Sequence, residues 1–549
     1  MIAIYIMGMF VTLFENDSAQ FAVMAMRMVQ ENDFLNLFRG QHEYLDKPHM
    51  HYWLAALSYK LFGINHFAYR LPALLATLLG AYGCHGLGRS LYNDEVGKLA
   101  ALIFMTAQTI VLSVIDVRTD AILTGFTVLA VWQLLLYSKN GSLKHIALGA
   151  LAAGIAFSTK GQIALLVMGL PLLCHLAYTQ KWNVLLHWKV LVALAVFALT
   201  IAPMLYAYYH QFDLHPEKII RGKGDRSGIL FIFWEQSFER LSGEGVGKNS
   251  SDYFFFFHTF LWVFLPWTVV GLLAYVDRVK AFMKRKQAFF PHLEVLTLGG
   301  ITFIFIIISF AQFKLPHYLN ITIPLFSVLS AGYLFHLYES QKHRTIKFVL
   351  GAHYFILGLV FVVSSLLSMY VFRLKGGWPY VLIVIIAIPI IYYSLKKEGY
   401  YFRAITVAAC SSILLNLCLN AHFYPNLLKY QAGSEMSKWV AHNQVPVDRI
   451  YRFQEWNSWG FDFYNKKPLT ITTLDAIGSM NDIWVYVDDK GLNAMELKGL
   501  AWDRKISKPQ FRITRLQAKF LNPGTREKVL NHMHLVHITQ GASEEADEN

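Results

Sequence analysis

Apolar runs long enough to cross a bilayer recur through the first three quarters of this chain, and that repetition confines most of it to a bundle of helices in lipid. A hydrocarbon core of about 30 Å takes roughly 20 apolar residues in a helix. The clearest runs are Leu71–Leu91, Leu99–Ile115, Val190–Tyr209, Val295–Phe313, Phe348–Phe372 and Tyr380–Leu395. With shorter and polar-interrupted runs the expectation is about thirteen spans. Composition agrees: 55% of the 549 residues are hydrophobic, 15% are aromatic and the mean hydropathy is +0.37. An ordinary soluble chain of this length is less apolar.

All four cysteines, Cys84, Cys174, Cys410 and Cys418, fall inside apolar runs, where they act as small hydrophobes, so neither a disulfide framework nor a Cys-rich metal site is implied. The opening run Met1–Phe14 is short for a span and lacks the basic leader and small-residue cleavage site of a signal peptide. It reads as the outer part of a first helix whose start lies upstream.

Short basic loops set the orientation. Arg278, Lys280, Lys284, Arg285 and Lys286 share one loop, Lys342, Arg344 and Lys347 a second, and Lys396, Lys397 and Arg403 a third. Such loops face the cytoplasm, and helix parity then gathers Glu15–Tyr69, Asp116–Asp120, Ser158–Gln162, Gln211–Tyr253 and Lys314–Asn320 on the outer side. Beyond Phe423 the sequence turns mixed and polar. Strands are predicted at Ile483–Val487 and Phe511–Thr514, a helix at Gly433–Asn443, and an acidic disordered tail at Gly541–Asn549. Residues 1–422 are therefore expected to form a membrane module, with outer loops at 15–70 and 211–255, and residues 423–549 a small outer α/β domain. The net charge of +13 suits work beside anionic lipid, and no basic-aromatic pattern argues for nucleic acid.

Polar chemistry is concentrated in the outer loops, which points to a catalytic face. The first loop alone carries Glu15, Asp17, Arg27, Glu31, Asp33, Arg39, Glu43, Asp46, Lys47 and Arg70. Helical periodicity over Phe21–Val29 and Tyr52–Leu61 predicts helices lying in the membrane interface. Lys47, a cation followed by Pro48 at the foot of such a helix, is placed to neutralise a lipid phosphate where water is scarce.

Six short motifs follow in order: Asp17-Ser18-Ala19-Gln20-Phe21, Asp46-Lys47-Pro48 leading to Tyr52-Trp53, Arg118-Thr119-Asp120, Thr159-Lys160-Gly161, Phe264-Leu265-Pro266-Trp267 and Lys314-Leu315-Pro316-His317-Tyr318. In that order the chain resembles the GT-C membrane glycosyltransferases, and among them the lipid A aminoarabinose transferases and the wider protein O-mannosyltransferase-like superfamily. The resemblance covers most of residues 15–330. It implies a multi-pass protein of the bacterial inner membrane with a periplasmic active site, a polyprenyl-phosphate sugar donor, and a lipid or glycan acceptor. It also implies that Asp17 lies beside the reacting sugar, with Asp120 the second catalytic candidate, and that Arg240 and Tyr318 lie near the carrier phosphate beside Lys47. Asp46, Arg118, Lys160, Lys314 and His317 are secondary candidates from the same motifs. Asp17 also has an ordinary role open to it, capping a helix that starts at Ser18. For Lys160 and Lys314 the ordinary role is snorkelling to headgroups.

The pattern departs from the family at three places: Ser18 replaces an acid, Gln20 an arginine and Phe21 a tyrosine, which touches the binding mode or the substrate. His42, His49, His51 and His317 with Glu43 and Asp46 supply the ligand types of a divalent metal but not a compact zinc spacing. The stretch Gly243–Lys248 resembles a phosphate loop, but Asn249 follows the lysine and no buried strand precedes it, so a flexible outer loop is the simpler reading. The chemistry expected is one in-line displacement at the anomeric carbon with inversion. Lys47 and Arg240 stabilise the leaving phosphate, and Asp17 orients or deprotonates the acceptor. Transfer to Ser or Thr is an alternative within the same donor chemistry. A transporter or flippase of lipid-linked sugars is the alternative outside enzymes; the chain lacks the paired broken helices of related halves that such a protein would show.

Overall fold

The computed structural model describes residues 1–222, 224–242, 249, 252–284, 294–374, 392, 399–453 and 458–539, without the side chains of Arg240 and Leu241. Nearly all of the run Tyr380–Leu395, the loop Gly243–Lys248, the basic residues Arg285, Lys286, Lys396 and Lys397, and the acidic tail lie outside the described residues.

The chain opens with α1 (Ile2–Met9), followed by α2 (Asp17–Gln30) and α3 (Met50–Phe62) in the first loop. Then come α4 (His66–Leu91), α5 (Asp94–Thr106), α6 (Gln108–Ile115), α7 (Asp120–Asn140), α8 (Leu143–Lys160), α9 (Gln162–Thr179) and α10 (Lys189–Tyr208). Among the described residues seven helices are long and apolar enough to cross a membrane, and eight if the bent pair α5–α6 is one span.

That bend falls inside the apolar run Leu99–Ile115. The two halves meet at 54°, and Ala107 between them is extended. Breaking a helix in an apolar setting orphans backbone groups, and here distant elements take them up. The Gln108 amide donates to the Leu265 carbonyl at 2.9 Å, and the Ser412 hydroxyl donates to the Thr106 carbonyl at 2.7 Å. Small residues then bring neighbours close: a Cβ on Gly125 of α7 would collide with the Ala76 carbonyl oxygen of α4.

In the first loop, a short hairpin of β1 (Phe38–Arg39) and β2 (His42–Glu43) turns at Gly40, whose φ is +63°. The apolar face of α2 packs on Tyr52, Ala55 and Tyr59 of α3 and on Trp459 and Phe463 from the far end of the chain. The two helices expected from periodicity are thus present and pack between the bundle and the C-terminal segment.

That segment carries a helix at Ala432–His442 and a five-stranded sheet. Its strands are β3 (Ile450–Arg452), β4 (Thr470–Ile471), β5 (Ile483–Asp488), β6 (Arg504–Gln510) and β7 (Asn531–Ile538), in the order β4-β3-β5-β7-β6. β3 runs parallel to β4 and β5, and β7 runs antiparallel to β5 and β6. Alternate residues of β5 divide between two cores, Trp484 and Tyr486 against Met436 and Val440, and Ile483, Val485 and Val487 against Ile477 and Met495. The strand predicted at Phe511–Thr514 is absent. The chain leaves the sheet at Phe511, whose amide donates to the Tyr430 carbonyl at 2.8 Å and whose ring stacks on Phe520 at 3.9 Å. Packing onto the end of the membrane segment wins there over strand propensity.

Candidate active site

Asp17 does not cap its helix. Asn16 does, its side chain accepting from the Ser18 amide at 2.8 Å, which leaves the Asp17 carboxylate half exposed in the first turn of α2 with one oxygen 3.1 Å from Arg118 Nη1. The other arm of Arg118 donates to Asp116 at 3.1 Å. One guanidinium thus ties the segment before α7 to the start of α2.

Asp120 is the first residue of α7 and Lys160 the last of α8, so each charge sits at the helix end whose dipole favours it. Their side chains meet at 2.6 Å, with Asp120 3% exposed and Lys160 13%. Lys160 is therefore held inside the protein rather than snorkelling. Gly161 behind it has φ +70°, and a Cβ there would press to 2.7 Å from the Gln236 side chain. The Gln236 amide in turn donates to the Asp46 carbonyl. Gln236 thus bonds to the turn that carries Lys47 and lies close against the one that follows Lys160.

His317 Nε2 lies 3.8 Å from Asp120, and its Nδ1 accepts from Arg118 at 3.5 Å. Lys47 lies 3.3 Å from Asp46, and the Lys160 ammonium sits 4.9 Å from the centre of the Tyr318 ring. Asp17, Asp46, Lys47, Arg118, Asp120, Lys160, His317 and Tyr318 all line one cleft, together with Phe21, Tyr44, Thr119, Phe313 and Leu315. Lys314 is placed apart from it: its backbone is hydrogen-bonded both ways to the Asn249 side chain at 2.7 Å, and its ammonium lies 5.4 Å from the Tyr253 ring centre. The side chain of Arg240 lies outside the described residues.

Two further spaces open from this cleft. An apolar groove walled by Leu123, Ile163, Leu166, Ile307, Ile308 and Ile321 reaches it through Lys47, Lys160, Phe313 and Tyr318. A polar vestibule bordered by Gln20, Arg39, His42, Glu43, Lys218 and Arg221 reaches it through Asp17, Tyr44 and Asp46. The order is groove, two lysines, cleft, Asp17, vestibule.

The histidines divide. His49 is buried with Nε2 2.9 Å from the Leu35 carbonyl, and burial lowers its pKa to about 4. His51 contacts the Tyr69 hydroxyl at 3.1 Å and is lowered to about 4 by the same cause. Glu43 pairs with Lys218 at 2.7 Å. Among the described residues, no group of three or more His, Cys, Asp or Glu side chains converges as metal ligands would.

Residues 46–206 match the dolichyl-phosphate-mannose-protein mannosyltransferase family. The chain is 27% identical over 315 residues to an undecaprenyl phosphate-alpha-4-amino-4-deoxy-L-arabinose arabinosyl transferase of Proteus mirabilis, covering 56% of this chain and 53% of that one. It is likewise 27% identical over 308 residues to the transferase of that name from Pseudomonas aeruginosa, covering 55% and 52%. The chain thus spans about half the length of the curated relatives it matches. The crystal structure of ArnT from Cupriavidus metallidurans bound to undecaprenyl phosphate superimposes with a TM-score of 0.74 over 97% of this chain and 96% of that one, at 15% identity. The fold is the ArnT-like GT-C fold. The apo form of the same enzyme gives 0.71 at 16% identity, covering 90% and 93%.

Proposed function

We propose that this chain is an inverting glycosyltransferase that moves a sugar from a polyprenyl-phosphate carrier to an extracytoplasmic acceptor, lipid A or another cell-envelope glycolipid. The observation that carries this is the order of spaces around the cleft. An apolar groove suits a polyprenyl tail, and the two lysines at its end, Lys47 and Lys160, suit the phosphate that joins tail to sugar. The sugar then occupies the cleft, and an in-line nucleophile must arrive from the side opposite the leaving phosphate, which is the vestibule behind Asp17.

The leaving phosphate needs charge stabilisation rather than a proton, and Lys47 and Lys160 supply it; Arg240 is kept as a third donor on the sequence resemblance alone. Asp120 holds Lys160, and Arg118 holds Asp17 at the vestibule side. Asp17 deprotonates a hydroxyl acceptor, or only positions an acceptor that is already a phosphate anion. Residues 1–422 act as a membrane module of about thirteen spans, with this cleft and residues 423–549 on the periplasmic face of the inner membrane. The arabinosyl transferases matched above support the donor class. The mannosyltransferase family match favours, as a second reading, transfer from the same kind of donor to Ser or Thr.

Purified protein in detergent with a polyprenyl-phosphate-linked sugar and an envelope glycolipid tests the proposal. It calls for a glycolipid heavier by one sugar with inverted anomeric configuration. Donor that stays intact with every acceptor class, while the protein still binds polyprenyl phosphate, would overturn it and favour transport.

A further inference from the structure

The segment that delivers Asp17 to the cleft is irregular between α1 and α2, yet side chains from two distant parts of the chain take up its main-chain groups. From the bundle side comes Arg70 of α4, fully buried. Its Nη1 donates to the Met9 carbonyl at 3.2 Å and to that of Val11, and its Nη2 to that of Thr12 at 3.2 Å. Its Nε donates the other way, to the Ile115 carbonyl at 2.8 Å. Ile115 immediately precedes Asp116, which shares Arg118 with Asp17.

From the C-terminal side comes Gln431, also fully buried. Its amide oxygen accepts from the Glu15 amide at 2.6 Å, and its amide nitrogen donates to the Leu13 carbonyl at 2.9 Å. Tyr464 accepts from the Leu13 amide at 2.9 Å, and the Gly460 amide donates to the Glu15 carboxylate at 2.8 Å.

We propose that Arg70 and Gln431 are positioning residues that together fix Asp17 against Arg118, and that the C-terminal segment takes part in the reaction through Gln431. This rests on the reading of Asp17 as the group that serves the acceptor. A buried guanidinium directed at main-chain carbonyls on two segments is a rigid fork, and it sets the spacing between the strand of chain ending at Asp17 and the one ending at Asp116. A lysine in its place is a single point donor that reaches one segment or the other. Gln431 pairs with residues 13 and 15 as a neighbouring strand would, a geometry that a side chain without both a donor and an acceptor does not reproduce. Donor binding runs through Lys47, in the turn before α3, and Lys160, at the end of α8, whereas the hydrogen bonds of Arg70 and Gln431 go to residues 9–15 and Ile115.

The test uses full-length Arg70→Lys and Gln431→Met proteins, compared at equal folded amount, with and without Asp17→Glu. Both single variants are expected to lose turnover on the order of 10²-fold while donor KM and undecaprenyl-phosphate binding stay within about twofold of wild type. In the Asp17→Glu background the same substitutions should cost less than about threefold, because the group they position is already displaced. Hydrogen exchange over residues 9–22 should accelerate in both, with exchange in α7 and α8 unchanged. Equal losses in both backgrounds, or exchange over residues 9–22 like that of wild type, would overturn the proposal. If wild-type protein transfers no sugar, the function reading falls, and hydrogen exchange still decides whether Arg70 and Gln431 hold the Asp17 segment.

Discussion

Replacing Lys160 by Met separates the lysine's part in holding Asp120 from its part in catalysis. The pair is closed at 2.6 Å between side chains 13% and 3% exposed, so the substitution strands a buried carboxylate. Breaking such a pair from one side costs about 3–5 kcal/mol. Arg118 still faces Asp120, which puts the loss at the lower end, about 3 kcal/mol. Losing a charge-assisted donor to the leaving phosphate removes a further ~3 kcal/mol from the transition state, or about 10²-fold in turnover. Adding Asp120→Asn removes the stranded charge, so the double variant should regain most of the lost stability but not the lost rate. Thermal unfolding in detergent and initial rates of sugar transfer read the two quantities. A Lys160→Met protein that turns over within about threefold of wild type at equal folded amount would refute the assignment of Lys160 to the leaving phosphate.

Lys47→Met leaves Asp46 in a wetter setting, 27% exposed, so it should cost little stability but weaken undecaprenyl-phosphate binding by about 10- to 100-fold, read by native mass spectrometry. Glu15 gives a pH prediction: burial, with the nearby Asp462 charge adding to it, raises its pKa from 4.5 to about 7. A carboxyl raised on folding favours the fold while protonated, so the contribution of Glu15 to stability is fully present below pH 4.5 and is lost as pH rises through about 7, burial outweighing the Gly460 bond to the carboxylate. Burial raises Asp462 in the same direction, also to about 7. Glu15→Gln should therefore flatten the fall in melting temperature between pH 4.5 and 7, and an unchanged slope would count against it. Arg118→Gln unlinks Asp17 from Asp116 and should lower kcat far more than donor KM, a split that steady-state kinetics resolves.

The charged residues of the cleft stand out in the sequence because charge is rare in apolar surroundings and Asp17, Lys47, Arg118, Asp120 and His317 all sit beside predicted helix ends. Their convergence is a property of the bundle: Lys160 meets Asp120 only because α7 and α8 run antiparallel and end level. Less was legible where distant partners decide local structure. The bend between α5 and α6 depends on Leu265 and Ser412, far along the chain. The edge strand Arg504–Gln510, with two lysines, an arginine and a proline, carries little strand signal and is held by its register with β7. Lys314 belongs to a cleft motif yet turns to Tyr253, which its spacing from Tyr318 does not reveal. Gln236, Arg70 and Gln431 form no motif, since each acts on main-chain or side-chain groups remote in sequence.

The most direct test of the central claim is the mass profile of lipid A and other envelope glycans from cells carrying the wild-type protein, its Asp17→Asn variant, or no copy. A sugar-sized mass on one acceptor class is expected with wild type and is absent from the other two at equal protein level. A profile for Asp17→Asn that matches wild type while the null strain differs would contradict it, removing Asp17 from the chemistry and leaving transport of the lipid-linked sugar as the better account.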